Sequence, residues 1–421
     1  MTPVMMFAQI GAPTLEPSTG VFVIATIVKM VLIFTVYMVG VAMLTLAERK
    51  ISAWIQDRRG PNRAGWGGLL QPAADGVKNI MKEETYPADA HPQLFILAPA
   101  MAFIPAMITW AVIPFAAPLS TPWGVIEMSV AQLPVGFLFT LAVSSLGVYG
   151  IVLAGWASNS KYALLGGLRS SAQMLSYEIS MGMSTVAVLL LAGNVTMDAI
   201  IRQQATMGWN VLLLSIACFV FIIAAFAETN RLPFDLPEAE SELVAGYHSE
   251  YSAMKFSLFF IAEYANMVTA SALIATLFFG GWDIPFTLWD NTAPWTLLKV
   301  VLTLGAFVSK VAFFLFFFMW IRWTLPRFRY DQLMSLGWKL LLPLILGYVV
   351  LIAGATLGLD ALGVSRGPVF GMLLFVLNLV LAVLLFVVLD RGRIVSPAYA
   401  RLDARRLAAM RRGPATQEGG D

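Results

Sequence analysis

Long apolar runs, rather than alternating polarity, organise this chain. A window of about 19 residues finds them near 20–46, 95–116, 132–156, 173–193, 209–227, 256–279, 297–321, 340–358 and 369–389. Each approaches the roughly 20 residues that carry a helix across about 30 Å of hydrocarbon. A membrane barrel needs shorter segments of alternating polarity, and the chain has none. The pattern predicts an all-α integral membrane protein, a polytopic bundle of about nine transmembrane helices. The first run is too long for a signal-peptide core and lacks a basic stretch before it, so a retained span is expected.

Composition agrees, with 59% hydrophobic and 12% charged residues, about half the charge of a soluble protein. The cations set an orientation. Arg49, Lys50, Arg58, Arg59, Arg63, Lys78 and Lys82 lie between the first two runs, and Lys161 and Arg169 between the third and fourth. Arg231 and Lys255 fall between the fifth and sixth, and Arg322, Arg327, Arg329 and Lys339 between the seventh and eighth. Seven arginines follow the ninth, while Arg202, Lys299 and Arg366 fall on the opposite side. The positive-inside rule then puts the N-terminus outside and the tail in the cytoplasm. Four parts are expected: an external segment 1–19, a membrane core 20–358, an additional helix 359–390 and a basic, disordered tail 391–421.

One cysteine and two histidines narrow the chemistry. Cys218 sits among apolar residues, where a thiol is usually inert, and His91 and His248 share no ligand spacing. Metal, haem and iron–sulfur sites are not expected in this chain, so any electrons come from a partner.

The loops on the cytoplasmic side carry more chemistry than connections need. In the first, Ala73, Val77, Ile80 and Met81 recur at helical spacing opposite Asp75, Lys78 and Lys82. This describes an amphipathic helix, either an interfacial one whose cations meet lipid phosphate or a wall of a ligand chamber. The segment 227–252 carries Glu228, Asp235, Glu238, Glu240, Glu242 and Glu250 against Arg231 alone. Carboxylates in a first helical turn explain Glu238 and Glu240, but not six acids on a positive-inside face. Glu178 and Glu263 lie within apolar runs, where an ionisable group costs at least about 2.5 kcal/mol and usually marks an ion or proton path. Lys29 and Lys310 are partners for such acids or snorkelling residues, with equal claim. The arginines in RWTLPRFRYDQL alternate with Trp323, Phe328 and Tyr330, which suits a quinoid or anionic headgroup and equally an interfacial belt.

Several motifs then fall into one order. ERK at 48–50, RRGPN at 58–62, QPAADGVK at 71–78, SKYALLGGLRSSAQMLSYEI at 160–179, AETNRLPFDLPEAESELVAGYHSEYS at 227–252, FFIAEYANM at 259–267 and RWTLPRFRYDQL at 322–333 resemble the H subunit of bacterial NADH-quinone oxidoreductase, respiratory complex I. The mitochondrial counterpart is NADH dehydrogenase subunit one. The resemblance runs from about residue 20 to about residue 350.

The resemblance implies a subunit of the plasma (inner) membrane that docks the hydrophilic arm and small membrane-arm subunits, with no complete active site of its own. Its loops would build a quinone-access chamber, the quinone being substrate, with FMN and iron–sulfur clusters held by partner subunits. Arg49, Trp66, Asp75, Lys78, Arg231, Arg322 and Arg327 would border that chamber. Glu178, Glu228, Glu238, Glu240, Glu242, Glu250 and Glu263 would form an acidic funnel coupling quinone reduction to proton translocation. Relatives commonly stop soon after the eighth apolar run, so the ninth and the arginine-rich tail depart from the pattern. Rival readings are the homologous subunit of a membrane-bound hydrogenase, a free-standing cation/proton antiporter and an assembly scaffold. The antiporter predicts inverted repeats that the halves do not show.

Overall fold

A computed structural model describes residues 18–236, 244–285 and 287–390. The chain runs through α1 (Thr19–Ile55), α2 (Gln71–Met81), α3 (Pro92–Ile108), α4 (Gly136–Ala157), α5 (Lys161–Ala192), α6 (Met197–Met207) and α7 (Asn210–Leu213). It continues through α8 (Ser215–Glu228), α9 (Ala253–Phe278), α10 (Leu297–Thr324), α11 (Tyr330–Ser335), α12 (Leu342–Ala361) and α13 (Pro368–Asp390). A π-helical turn, Leu336–Leu341, joins α11 to α12. A small antiparallel hairpin, β1 (Leu119–Thr121) with β2 (Gly124–Ile126), lies between α3 and α4. The N-terminal segment before residue 18 and the basic tail from 391 lie outside the described residues.

Among the described residues, eight helical units are long and apolar enough to cross a bilayer: α1, α3, α4, α5, α9, α10, the joined α11–α12 and α13. The fifth apolar run differs from the expectation of one uniform span. It is cut at Leu214, whose φ of −135° and ψ of 46° leave the helical region. The cut has a local cause. Asn210 donates from Nδ2 to the Leu277 carbonyl (2.9 Å), and its N–H donates to Gln204 Oε1 (3.2 Å). These bonds anchor α7 to the end of α9, out of line with α8.

α9 is the hub of the bundle. Of its most apolar window 72% is buried, against 6% for α1, which therefore stands at the edge. Helices in lipid gain little from hydrophobic exclusion and associate through close packing of small residues. Gly150 of α4 illustrates this, because a Cβ there would stand 2.7 Å from the Ala102 nitrogen of α3. The α9 face is lined by buried Ala262, Ala265, Ala272 and Ala275 for the same reason.

The two intramembrane lysines bond directly to backbone carbonyls, with acids within electrostatic reach: Glu127 for Lys29, and Asp283 and Asp290 for Lys310. Lys29 donates to the carbonyls of Glu127 (2.8 Å) and Ser129 (2.6 Å). Lys310 donates to those of Phe279 (2.8 Å), Gly281 (2.9 Å) and Asp283 (2.6 Å). Lys29 thus satisfies backbone of the loop after β2, and Lys310 that of the loop just past the end of α9, where carbonyls lack helical partners.

α2 forms where the amphipathic spacing expects it, with Pro72 in the first turn. Its polar side faces the bundle: Asp75 reaches α1, while Val77, Ile80 and Met81 are exposed. The Arg49–Asp75 ion pair ties the helix to the bundle, with its apolar stripe outward.

Candidate functional site

The loops after α1, α4, α8 and α10 gather at one end of the bundle. His91 N–H donates to the Ala157 carbonyl, Thr85 meets Ser252, and Phe328 N–H donates to the Pro233 carbonyl. Into this loop-rich end four charged side chains converge from distant parts of the sequence. Glu48 comes from the end of α1, Arg322 from the last turn of α10, Glu263 from α9 and Arg231 from the turn after α8. Arg231 Nη1 lies 3.2 Å from Glu48 Oε1, and its Nε lies 2.7 Å from Glu263 Oε1. Arg322 also pairs with Glu48. The Arg231 guanidinium stacks 4.4 Å from the Tyr264 ring. Glu48 and Arg231 are almost fully buried.

Two carboxylates and two guanidinium groups give a neutral cluster, the condition under which buried charge is tolerated. Burial alone would lower the Arg231 pKa, but the carboxylates of Glu263 and Glu48 outweigh it and raise it. The turn that delivers Arg231 is held from α5. Gln173 donates to the carbonyls of Ala227 and Phe234 (2.9 Å each), and Asn230, at a φ of 49°, donates to Ser170 Oγ (3.1 Å). Stacking of Phe234 on Phe328 and an Arg327–Asp235 pair at 3.2 Å tie the same turn to the loop after α10.

Beside the cluster lies a cavity of about 410 Å³ between α1, α2 and α9. One wall is polar: Arg49 pairs with Asp75 at 2.6 Å, with Lys78 and Asn79 alongside. The other is apolar, with Met38, Val41, Phe260 and Ile261. Tyr264 belongs to both places, lining the cavity while stacking on Arg231.

The residues singled out for a chamber therefore divide. Arg49, Asp75 and Lys78 line the cavity. Arg231 and Arg322 sit behind it in the ion cluster, and Arg327 pairs with Asp235. Trp66 stands apart, 93% exposed. The acids divide too. Glu263 is the partner of Arg231. Glu228 feels the charge of Glu178 on α5 and shares a small cavity with Ser144. That cavity, of about 20 Å³, is lined also by Thr109, Thr140, Thr229 and Thr269, and a water needs about 10–15 Å³. Glu250 is half-buried in the loop before α9. Glu238, Glu240 and Glu242 lie outside the described residues.

Two members of the site, Glu48 and Tyr264, were visible only as letters in motifs. Glu48 directly precedes Arg49-Lys50 and reads as an interfacial charge. Its actual partners lie 183 and 274 positions away, and no local pattern encodes that.

The sequence profile of the NADH dehydrogenase family matches residues 28–353. The chain belongs to that family. It is 51% identical over 326 residues to the NADH-quinone oxidoreductase H subunit of Leptospira biflexa, covering 75% of this chain and 90% of the relative. It is 53% identical over 339 residues to the H subunit of Rickettsia peacockii, covering 79% and 94%. Against NADH-quinone oxidoreductase subunit 8 of Rhodothermus marinus it is 52% identical over 330 residues, covering 76% and 94%. These relatives are named as subunits of an enzyme complex, and the chain is a multi-pass membrane member of their family. The family match takes in α2 to α11 whole, with most of α1 and α12, and ends before α13.

Proposed function

We propose that this chain is the membrane subunit of a proton-pumping NADH:quinone oxidoreductase, forming the quinone-access chamber and the carboxylate path that couples quinone reduction to proton translocation. The observation that carries the reading is the two-sided cavity between α1, α2 and α9, backed by the buried Glu48–Arg231–Glu263–Arg322 cluster. The apolar wall suits an isoprenoid tail and the Arg49–Asp75–Lys78 wall a polar headgroup. That amphipathic lining favours a quinone over the hydrogenase alternative, in which no lipophilic substrate enters. FMN and iron–sulfur clusters would reside in partner subunits of the hydrophilic arm, docked over the loop-rich end. That end would face the bacterial cytoplasm, as the distribution of arginine and lysine predicts.

Quinone reduction consumes two electrons and two protons and passes through anionic states. Negative charge beside Arg49 and Lys78 weakens the hold of Arg49 on Asp75. Tyr264 and Arg231 carry the perturbation to Glu263 and Glu48. Protons then redistribute among carboxylates, with Glu228 and Glu178 next on the path.

Filling the cavity tests the reading. In the assembled complex, Ala42→Trp should lower kcat/KM for a long-chain quinone about tenfold or more, equivalent to about 1.4 kcal/mol. NADH oxidation by a water-soluble artificial acceptor should be unchanged. A normal quinone kcat/KM in an assembled Ala42→Trp complex would remove the cavity from the substrate's route.

A further inference from the structure

α13 lies beyond the family match, which ends at residue 353, yet it is built into the bundle. Phe370 and Leu374 are fully buried. Gly371 meets the backbone of α6 so closely that a Cβ would collide with the Met207 carbonyl. Midway along α13 stands Asn378, 2% exposed. Its Nδ2 donates to the Leu212 carbonyl (3.1 Å) and to Ser215 Oγ (2.7 Å), and its Oδ1 accepts from Tyr348 Oη of α12 (2.9 Å).

Leu212 and Ser215 flank Leu214, the residue that breaks the fifth apolar run. In a continuous helix the Leu212 carbonyl would accept from the N–H four residues on, and the break withdraws that partner. Hydrocarbon offers no replacement, so irregular backbone at this depth persists only under a protein cover. α13 is that cover, and Asn378 supplies the missing donor.

We propose that α13 is a clamp on the α7–α8 break, with Asn378 the positioning residue that holds α8, and Glu228 at its far end, in the register where Glu228 borders the small cavity it shares with Thr140 and Ser144. α8 is a single regular helix from Ser215 to Glu228, so its anchorage at one end fixes the other. The inference rests on the reading of Glu228 as a proton carrier.

The test uses the whole complex in proteoliposomes. Asn378→Leu keeps the side-chain size and removes all three bonds. It should lower protons pumped per electron about threefold and shift the pH profile of quinone reduction, losses of the size expected for a displaced interhelical hydrogen bond. Asn378→Gln should restore most of the pumping. In a Glu228→Gln background, Asn378→Leu should add no further shift, since the group it positions is gone. Wild-type pumping and pH profile in an assembled Asn378→Leu complex would overturn the clamp. If that variant fails to assemble, Tyr348→Phe, which frees only Asn378 Oδ1, must show a smaller shift, and a wild-type profile there overturns it equally. Normal pumping by Glu228→Gln alone overturns the parent reading instead. Amide exchange at 212–216, expected about tenfold faster in Asn378→Leu for the lost bond to the Leu212 carbonyl, then judges the clamp by itself.

Discussion

Two regions of this molecule bury charge, and they do so by opposite rules. At the loop-rich end, Arg231 and Arg322 are matched to Glu48 and Glu263, charge against charge. At the far end of α9, Lys310 bonds directly to three backbone carbonyls, while Asp283 and Asp290 lie within reach of its charge and take their direct bonds from neutral donors. Asp283 accepts from Asn291 (2.6 Å), and Asp290 accepts from the Ile284 N–H (2.8 Å). A cation bonded directly to carbonyls finishes a helix end. A balanced set of carboxylates and guanidiniums is poised differently, because adding or removing one charge leaves the others uncompensated. Buried charge by itself therefore does not mark a coupling site; the identity of its partners does.

The contrast can be broken most forcefully at Arg231. Arg231→Met strands Glu263 and leaves Glu48 to Arg322 alone, and stranding buried charge costs about 3–5 kcal/mol. The complex should lose thermal stability and nearly all quinone reductase activity, with Arg231→Lys intermediate; near-normal melting and turnover in Arg231→Met would mean the four charges are not a balanced unit. At the other end, Lys310→Met leaves helix-terminal carbonyls unpaired, at about 1–3 kcal/mol. A lower Tm with an unchanged proton-to-electron ratio is expected, and an altered ratio would erase the distinction between the two regions.

The smallest effect concerns pH. Burial, then the charge of Asp290, push the Asp283 pKa up from 3.8 to about 7. The folded loop thus binds the proton more tightly than the unfolded one. Its stabilisation is greatest below the unfolded pKa and is lost as pH rises toward 7. Asp283→Asn should therefore slow amide exchange in the 279–296 loop at pH 8 and do so by clearly less at pH 5. Equal effects at both pH values would contradict the raised pKa.

Much of the bundle was legible because length and apolarity suffice to specify a spanning helix. A window average reports composition, however, and not the dihedral angles of Leu214, which depend on Asn210 being tied to α9. The spacing in 71–82 gave an amphipathic helix without saying which face turns inward. The inward face is the one that carries Asp75, reached by Arg49, and Val77 and Ile80 are left exposed. Lys29 and Lys310 were noticed as costly residues, but their carbonyl partners have no side-chain signature. The motif residues of the site were visible as letters; their division between a cavity wall and a buried cluster is a property of three helices meeting.

The outward stripe of α2 also bears on how the protein is made. Val77, Ile80, Met81, Leu69 and Leu70, with Trp66 and Trp54 nearby, form an apolar shelf that the rest of the chain leaves to lipid or a partner to cover. Such a shelf is a target for holdases and proteases and a seed for self-association. The lifetime of the lone polypeptide is then set by how soon something else closes over that helix, which makes the order of assembly part of the information this loop encodes.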